Sequence, residues 1–209
     1  MAGGTQRGSG SGRLILASAS PRRRELLRQI GLEPEIAVSL VEEKAQGTPE
    51  EVVKELSRQK AGEVARRLGL AGAEDPSSIV IGADTVVAVD GRILGKPADR
   101  REAAAMLELL QGRTHLVCTG VTLIGGGRTE CFAEKTLVEV YPMTPEEIGA
   151  YLDCGEYADK AGAYGIQGRF AAHIRRIDGS YTNVVGLPVG RVWQELKKMR
   201  ETAAGGQGR

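Results

Sequence analysis

Asp84 interrupts Ile79-Val-Ile-Gly-Ala-Asp-Thr-Val-Val-Ala-Val89, a run that is otherwise apolar enough to be buried as a strand. A lone buried carboxylate is costly, and carboxylates are rarely enclosed unless paired. Asp84 is therefore expected at a strand end facing a cleft, as metal ligand or general base; the competing reading is a turn aspartate between two short strands. Gly82 nearby would permit a bulge or close approach of a ligand. Cations are available to complement such a carboxylate. Ser18-Ala-Ser-Pro-Arg22-Arg23-Arg24 follows the apolar run Arg13–Ala17. A strand-to-helix turn there would aim backbone N–H groups, two hydroxyls and up to three guanidiniums at one spot, which suits a polyphosphate. Cations near a helix N-terminus are unfavourable unless an anion sits beside them, although simply solvated arginines remain the alternative.

Lys60 falls four residues after Leu56 and four before Val64, on the apolar stripe of a long helix. It reads either as a snorkelling lysine or as a cation directed into a site. Lys96 follows a hairpin. Asp159-Lys-Ala-Gly-Ala-Tyr-Gly-Ile-Gln-Gly168 joins a charged pair to Tyr164, Gln167 and three glycines, either a loop that closes over a ligand or a plain connector. His115 and His173 are isolated from any HExxH or Cys/His cluster, and Cys118, Cys131 and Cys154 form neither a CxxC pair nor an even disulfide set. Phosphate loops of the GxxxxGK[ST] type, GxGxxG fingerprints and GxSxG elbows are absent. Scattered cations, isolated carboxylates and glycine loops suit metal-assisted attack of water on a phosphate anhydride.

These groups must be positioned by an ordinary globular chain of 209 residues, 41% hydrophobic and 26% charged, with net charge +1. Such a balance gives no global attraction for duplex nucleic acid or an anionic membrane, and 4% aromatic content leaves few rings for stacking bases. No apolar run reaches the ~20 residues of a membrane span. Unpaired cysteines fit a cytoplasmic location. Residues 1–12 and 200–209 read as flexible tails around a single domain over 13–199. Within it, strand, turn and helix succeed one another from Arg13 to Gly31, and Pro34–Ser39 reads as a second strand. Thr48-Pro-Glu-Glu51, Asp99 with Glu102, and Thr144-Pro-Glu-Glu147 open capped helices. Thr114–Ile124 and Thr129–Tyr141 form a hairpin through Gly125-Gly-Gly127, a last strand pair turns at Asp178-Gly179, and Pro188–Met199 closes the chain as a helix. Helices interleaved with hairpins and single strands predict an α/β fold with a mixed twisted sheet flanked by helices.

Leu-Ala-Ser-Ala-Ser-Pro-Arg-Arg (16–23), Ile-Gly-Ala-Asp-Thr (81–85), Gly-Lys-Pro (95–97), the 159–168 stretch and Gly-Ser-Tyr-Thr-Asn-Val-Val-Gly-Leu-Pro (179–188) together resemble the Maf family of nucleoside triphosphate pyrophosphatases. The match covers the chain from Arg13 to Met199. The resemblance implies two lobes with a central cleft, like the inosine triphosphate pyrophosphatases, and hydrolysis between the α- and β-phosphates with a divalent metal, Mg²⁺ or Mn²⁺. It implies Asp84 as proton acceptor, Arg22, Thr85 and Gln167 as specificity positions, and Ser18, Arg23, Lys60, Lys96 and Lys160 around the phosphates. Asp84 and Glu42 are the implied metal ligands, with the adjoining Glu43 not separated from Glu42. Gly-Ile-Gln-Gly resembles the branch acting on dTTP and UTP; a 7-methyl-GTP pyrophosphatase and a non-hydrolysing nucleotide-binding regulator of cell division are the alternatives. The expected partners are a nucleoside triphosphate and a second copy of the chain, with no nucleic-acid polymer and no membrane.

Overall fold

The computed structural model describes residues 12–72 and 77–205; the expected N-terminal tail lies outside them apart from Gly12. Strand β1 (Leu14–Leu16) leads through Ala17–Ser20 into helix α1 (Pro21–Gln29), where Pro21 fills the first turn and the Ser20 side chain makes no cap bond. The second strand expected over 34–39 shrinks to β2 (Glu35–Ile36). The segment after it runs without regular structure to Thr48, whose reciprocal bonds with Glu51 open α2 (Pro49–Arg67). β3 (Ile79–Val89) turns through Asp90-Gly91, both at positive φ, into β4 (Arg92–Leu94), and Asp99 caps α3 (Arg100–Leu110) by accepting from the Glu102 amide.

β5 (Thr114–Gly125) and β6 (Arg128–Val140) form the expected hairpin, with Gly126 and Gly127 at positive φ in its turn. Thr144 and Glu147 form a second reciprocal capping box at the start of α4 (Pro145–Asp153). Two short 3₁₀ turns (Ala161–Ala163 and Arg169–His173) precede β7 (Ile174–Asp178). The strand pair expected at Asp178-Gly179 is instead one strand followed by α5 (Tyr181–Val185), because the Ser180 side chain caps the Asn183 amide and redirects a β-branched segment into a helical turn. α6 (Val189–Gly205) continues past Met199, so the tail expected from residue 200 is helical as far as Gly205. Glu201, Ala203 and Ala204 favour that extension.

The strands make one mixed sheet in the order β2-β1-β3-β5-β6-β7, with β4 joined to β3. β1 is parallel to β2 and β3, and the remaining pairs are antiparallel. Alternation along β3 sends Ile81, Ala83 and Val87 into the larger core beneath α1, α3, α4 and α6, while Val80 joins Ala61 and Val64 under α2. Two glycines bring α2 unusually close to the sheet. A Cβ on Gly82 would lie 2.4 Å from the Ser57 carbonyl oxygen, and one on Gly120 would lie 2.2 Å from that of Val53. Gly82 therefore admits a helix backbone, in place of the bulge or ligand expected from sequence.

Candidate active site

Asp84 lies in the middle of β3, which corrects the expectation of a strand end. It still escapes full burial, because the sheet is split beside it. Along one edge β3 pairs with β1 at residues 79–81 and with β4 at residues 87–89, so no strand pairs with Gly82–Val86 there. A pocket of about 890 Å³ occupies this region, and both Asp84 and Thr85 line it although they point to opposite faces of the sheet. Ligand sites in open α/β sheets favour such points of changing strand neighbours.

On the α2 side, Lys60 reaches down from the edge of the helix's buried face. Its Nζ donates to Asp84 Oδ1 at 2.6 Å and lies 3.0 Å from Glu43 Oε1. The Lys60 and Asp84 side chains are only 12% and 14% exposed, so this is an enclosed ion pair rather than a snorkelling lysine. The stripe read from sequence is rotated slightly: Val53, Ser57, Ala61, Val64 and Ala65 are the most buried positions, and Ser57 bonds Thr122 Oγ1 at 2.8 Å. Glu42 requires a correction. Its carboxylate pairs with Lys44 at the exposed surface, whereas the adjoining Glu43 reaches Lys60 and lines the pocket.

On the other side, the four arginines of α1 separate. Arg24 and Arg28 both turn to Glu33, leaving Arg22 and Arg23 at the pocket. Arg23 is 9% exposed and held on three sides: its Nε donates to the Gly186 carbonyl (2.8 Å), one terminal nitrogen to Ser18 Oγ (3.0 Å) and the other to Thr85 Oγ1 (3.1 Å). Burial pulls its guanidinium below the ordinary arginine value, opposed by the negative charge of Asp84. Arg22 pairs with Asp159 at 3.2 Å, and Lys160 pairs with the same carboxylate at 2.7 Å while also donating to the Glu156 carbonyl. Desolvation pushes the Asp159 carboxyl up, but Lys160 and Arg22 outweigh it and hold it below the usual carboxylate range.

The 159–168 stretch is ordered around packing. A Cβ on Gly165 would lie 2.6 Å from Lys160 Cε, so that glycine leaves room for the lysine stem. Gln167 and Lys96 are exposed at the pocket, and Lys96 carries no ion pair among the described residues. Every phosphate or specificity position implied by the resemblance thus lines one cavity. Sequence reasoning assigns no role to Thr119 or Asn183, both fully buried; Thr119 shows there only as a polar residue inside an apolar strand run, and Asn183 only as a member of the 179–188 motif. His115 stands apart as a core residue on Tyr164, and the three cysteines are free.

Asp84 and Glu43 already share one cation, the Lys60 ammonium. A hard divalent ion takes one or two carboxylates and completes its shell with phosphate oxygens and water, so this donor set fits it. Among the described residues no three His, Cys, Asp or Glu side chains gather to cage a metal by themselves.

Fold and site define a mixed α/β protein with a pocket at the split edge of its sheet, lined by five cations and by Asp84, Glu43, Glu156 and Asp159. The chain belongs to the Maf family, whose model, described as Maf-like protein, matches residues 13–199. It is 52% identical over 200 residues to a dTTP/UTP pyrophosphatase of Agathobacter rectalis, covering 89% of this chain and 97% of the relative. Proteins of the same name from Symbiobacterium thermophilum (51% over 185 residues; 88% and 92% covered) and Bacillus pumilus (47% over 186 residues; 88% and 95% covered) are also similar. No helix among the described residues is long and apolar enough to cross a membrane.

Proposed function

We propose that this protein hydrolyses dTTP and UTP to the nucleoside monophosphate and pyrophosphate. The observation that carries the reading is Asp84, paired with Lys60 in a pocket that five cations line, Lys60, Arg22, Arg23, Lys96 and Lys160, together with the further acidic residues Glu43, Glu156 and Asp159. Five cations gathered about Asp84 suit a triphosphate and a water that must lose a proton, and Glu43 beside Asp84 adds a second carboxylate on the same side. The dTTP/UTP pyrophosphatase relatives make these two nucleotides the first choice.

In this reading the water oxygen bonds to the α-phosphorus, the bond from that phosphorus to the α,β-bridging oxygen breaks, and pyrophosphate carries away the bond electrons. Asp84 accepts the proton of the attacking water. Lys60 holds Asp84 at 2.6 Å before substrate arrives and then faces the phosphate charge on the same side of the sheet. Arg22, Lys96 and Lys160 take the outer phosphates, where negative charge grows as pyrophosphate departs. For Arg22 and Lys160 this means exchanging Asp159 for phosphate oxygens, a modest cost because that carboxylate is 61% exposed. A Mg²⁺ or Mn²⁺ ion, held by Asp84 and Glu43, would supply a Lewis acid for the phosphate and lower the pKa of bound water. Gln167 presents both a donor and an acceptor to the pyrimidine edge. The three free cysteines accord with a reducing cytoplasm.

The test is a product assay over dTTP, UTP, CTP, GTP and 7-methyl-GTP with Mg²⁺, Mn²⁺ or EDTA. Monophosphate and pyrophosphate should appear together, fastest from dTTP and UTP. A nucleoside diphosphate as first product, or tight binding without turnover, refutes the proposal.

A further inference from the structure

Beneath the pocket runs a line of hydrogen bonds whose direction can be read from the chemistry of its ends. Arg23 is a guanidinium and can only donate; the Asn183 main-chain carbonyl can only accept. Between them stand two hydroxyls. Arg23 lies 3.1 Å from Thr85 Oγ1, Thr85 Oγ1 lies 2.9 Å from Thr119 Oγ1, and Thr119 Oγ1 lies 3.1 Å from the Asn183 oxygen. Thr119 spends its single proton on that carbonyl, so the bond between the threonines uses the proton of Thr85. The chain therefore runs one way, from Arg23 through Thr85 and Thr119 to α5. The Gly186 carbonyl, 3.5 Å from Thr85 Oγ1, competes for that proton but is the longer contact beside the 2.9 Å bond to Thr119, and towards Arg23 Thr85 stands as an acceptor.

The far end is anchored firmly. Asn183 is fully buried, and its Nδ2 donates to the Val117 carbonyl at 3.2 Å and to Thr136 Oγ1 at 2.9 Å, fixing α5 against β5 and β6. The same short helix ends at Gly186, whose carbonyl receives Arg23 Nε at 2.8 Å. Two of the three bonds that aim the guanidinium thus trace back to α5, one directly and one through Thr119.

We propose that Thr119 is a positioning residue for the pocket: by accepting the Thr85 proton it locks Thr85 as the acceptor that aims Arg23 at the bound phosphates. The inference rests on the proposed nucleotide site, and it assigns Thr85 an indirect part in recognition, exerted through the arginine. Loss of one such bond corresponds to roughly a five- to tenfold change in affinity.

A binding cycle with α,β-methylene-dTTP, which cannot be cleaved at the scissile position, tests this apart from turnover. Titration calorimetry on wild type, Thr119→Val, Thr119→Ser, Thr85→Val and the Thr119→Val/Thr85→Val double variant is the measurement. Thr119→Val should weaken binding about five- to tenfold, Thr119→Ser should stay within about twofold of wild type, and Thr119→Val should add nothing once Thr85 is already valine. Unchanged affinity in Thr119→Val, a serine variant as weak as the valine, or a full second loss in the double variant overturns the proposal. Should Thr119→Val fail to fold, Thr119→Ala against Thr119→Ser gives the same comparison. Turnover failing while the cycle holds would refute the hydrolase reading alone; a wild type that does not bind the analogue refutes both.

Discussion

Replacing Lys60 with methionine should destabilise the protein, although its place on an apolar stripe makes the charge look dispensable. Its ammonium sits 2.6 Å from Asp84 Oδ1 and 3.0 Å from Glu43 Oε1, and both Lys60 and Asp84 are nearly enclosed. At separations near 4 Å in a partly wet site, unit charges attract by about 4 kcal/mol before desolvation is subtracted. Removing one partner of a fully buried pair costs about 3–5 kcal/mol, because the other charge is left alone. Asp84 retains 14% exposure and faces an open pocket, which brings the expected loss to about 2 kcal/mol. Asp84→Asn should cost about 1 kcal/mol, since Lys60 keeps Glu43. The double variant should be less destabilised than the two losses added, by a coupling of about 2 kcal/mol. Urea unfolding of wild type, both single variants and the double variant reads this directly, and thermal melts should show Lys60→Met lower by about 4–8 °C. A Lys60→Met protein as stable as wild type, or strictly additive losses, would refute the argument that the lysine is retained as a counter-charge.

Four further outcomes follow from the same geometry. Asp84→Asn should lower kcat for dTTP at least ~100-fold while circular dichroism stays native, and near wild-type kcat would remove Asp84 as proton acceptor. Gln167→Glu should lose the preference for dTTP and UTP, because a carboxylate can only accept; an unchanged ranking of kcat/KM across the five nucleotides would show that Gln167 does not read the base. His115, buried on Tyr164, is pushed by desolvation to about 4 from 6.5, so between those pH values the unfolded chain binds the extra proton. Stability should accordingly fall by about 3 kcal/mol as pH drops from 6.5 to 4, and the part of that slope due to this residue should vanish in His115→Gln, as pH-dependent urea melts would reveal. Gly82→Ala should cost about 1–3 kcal/mol and reduce turnover, because the new methyl would meet the Ser57 carbonyl oxygen at 2.4 Å; a variant matching wild type in both would show that α2 can move freely.

Much of this was legible where the chemistry is local. Thr48, Asp99 and Thr144 announce their helices because a cap and its partner sit three residues apart, and the 126–127 glycines announce their hairpin. The cations and Asp84 were legible as residue types. Their arrangement was less so, since it depends on contacts distant in sequence. Asp84 looked like a strand terminus because nothing nearby in the chain says that β1 and β4 share one edge of β3 and leave a gap between them. Glu42 and Glu43 are adjacent and chemically alike, and only the path of their segment along α2 decides which one meets Lys60. Tyr181–Val185 carries strand-like residues, yet Ser180 and the buried Asn183 impose a helical turn, a case of tertiary bonding overriding propensity.

The approach of α2 to the sheet at Gly82 and Gly120 also bears on how such a protein tolerates sequence drift. Where helix and sheet are spaced by interlocking side chains, each substitution in the layer shifts the spacing a little. Here main chain rests almost on main chain, at Ser57 over Gly82 and at Val53 over Gly120. The reach from Lys60 to Asp84 is therefore set by two positions without side chains, and the outer face of α2, with Glu55, Arg58 and Arg66, is left free to vary. Neutral change can accumulate across that surface without retuning the pocket, whereas at either glycine there is no smaller residue with which to compensate.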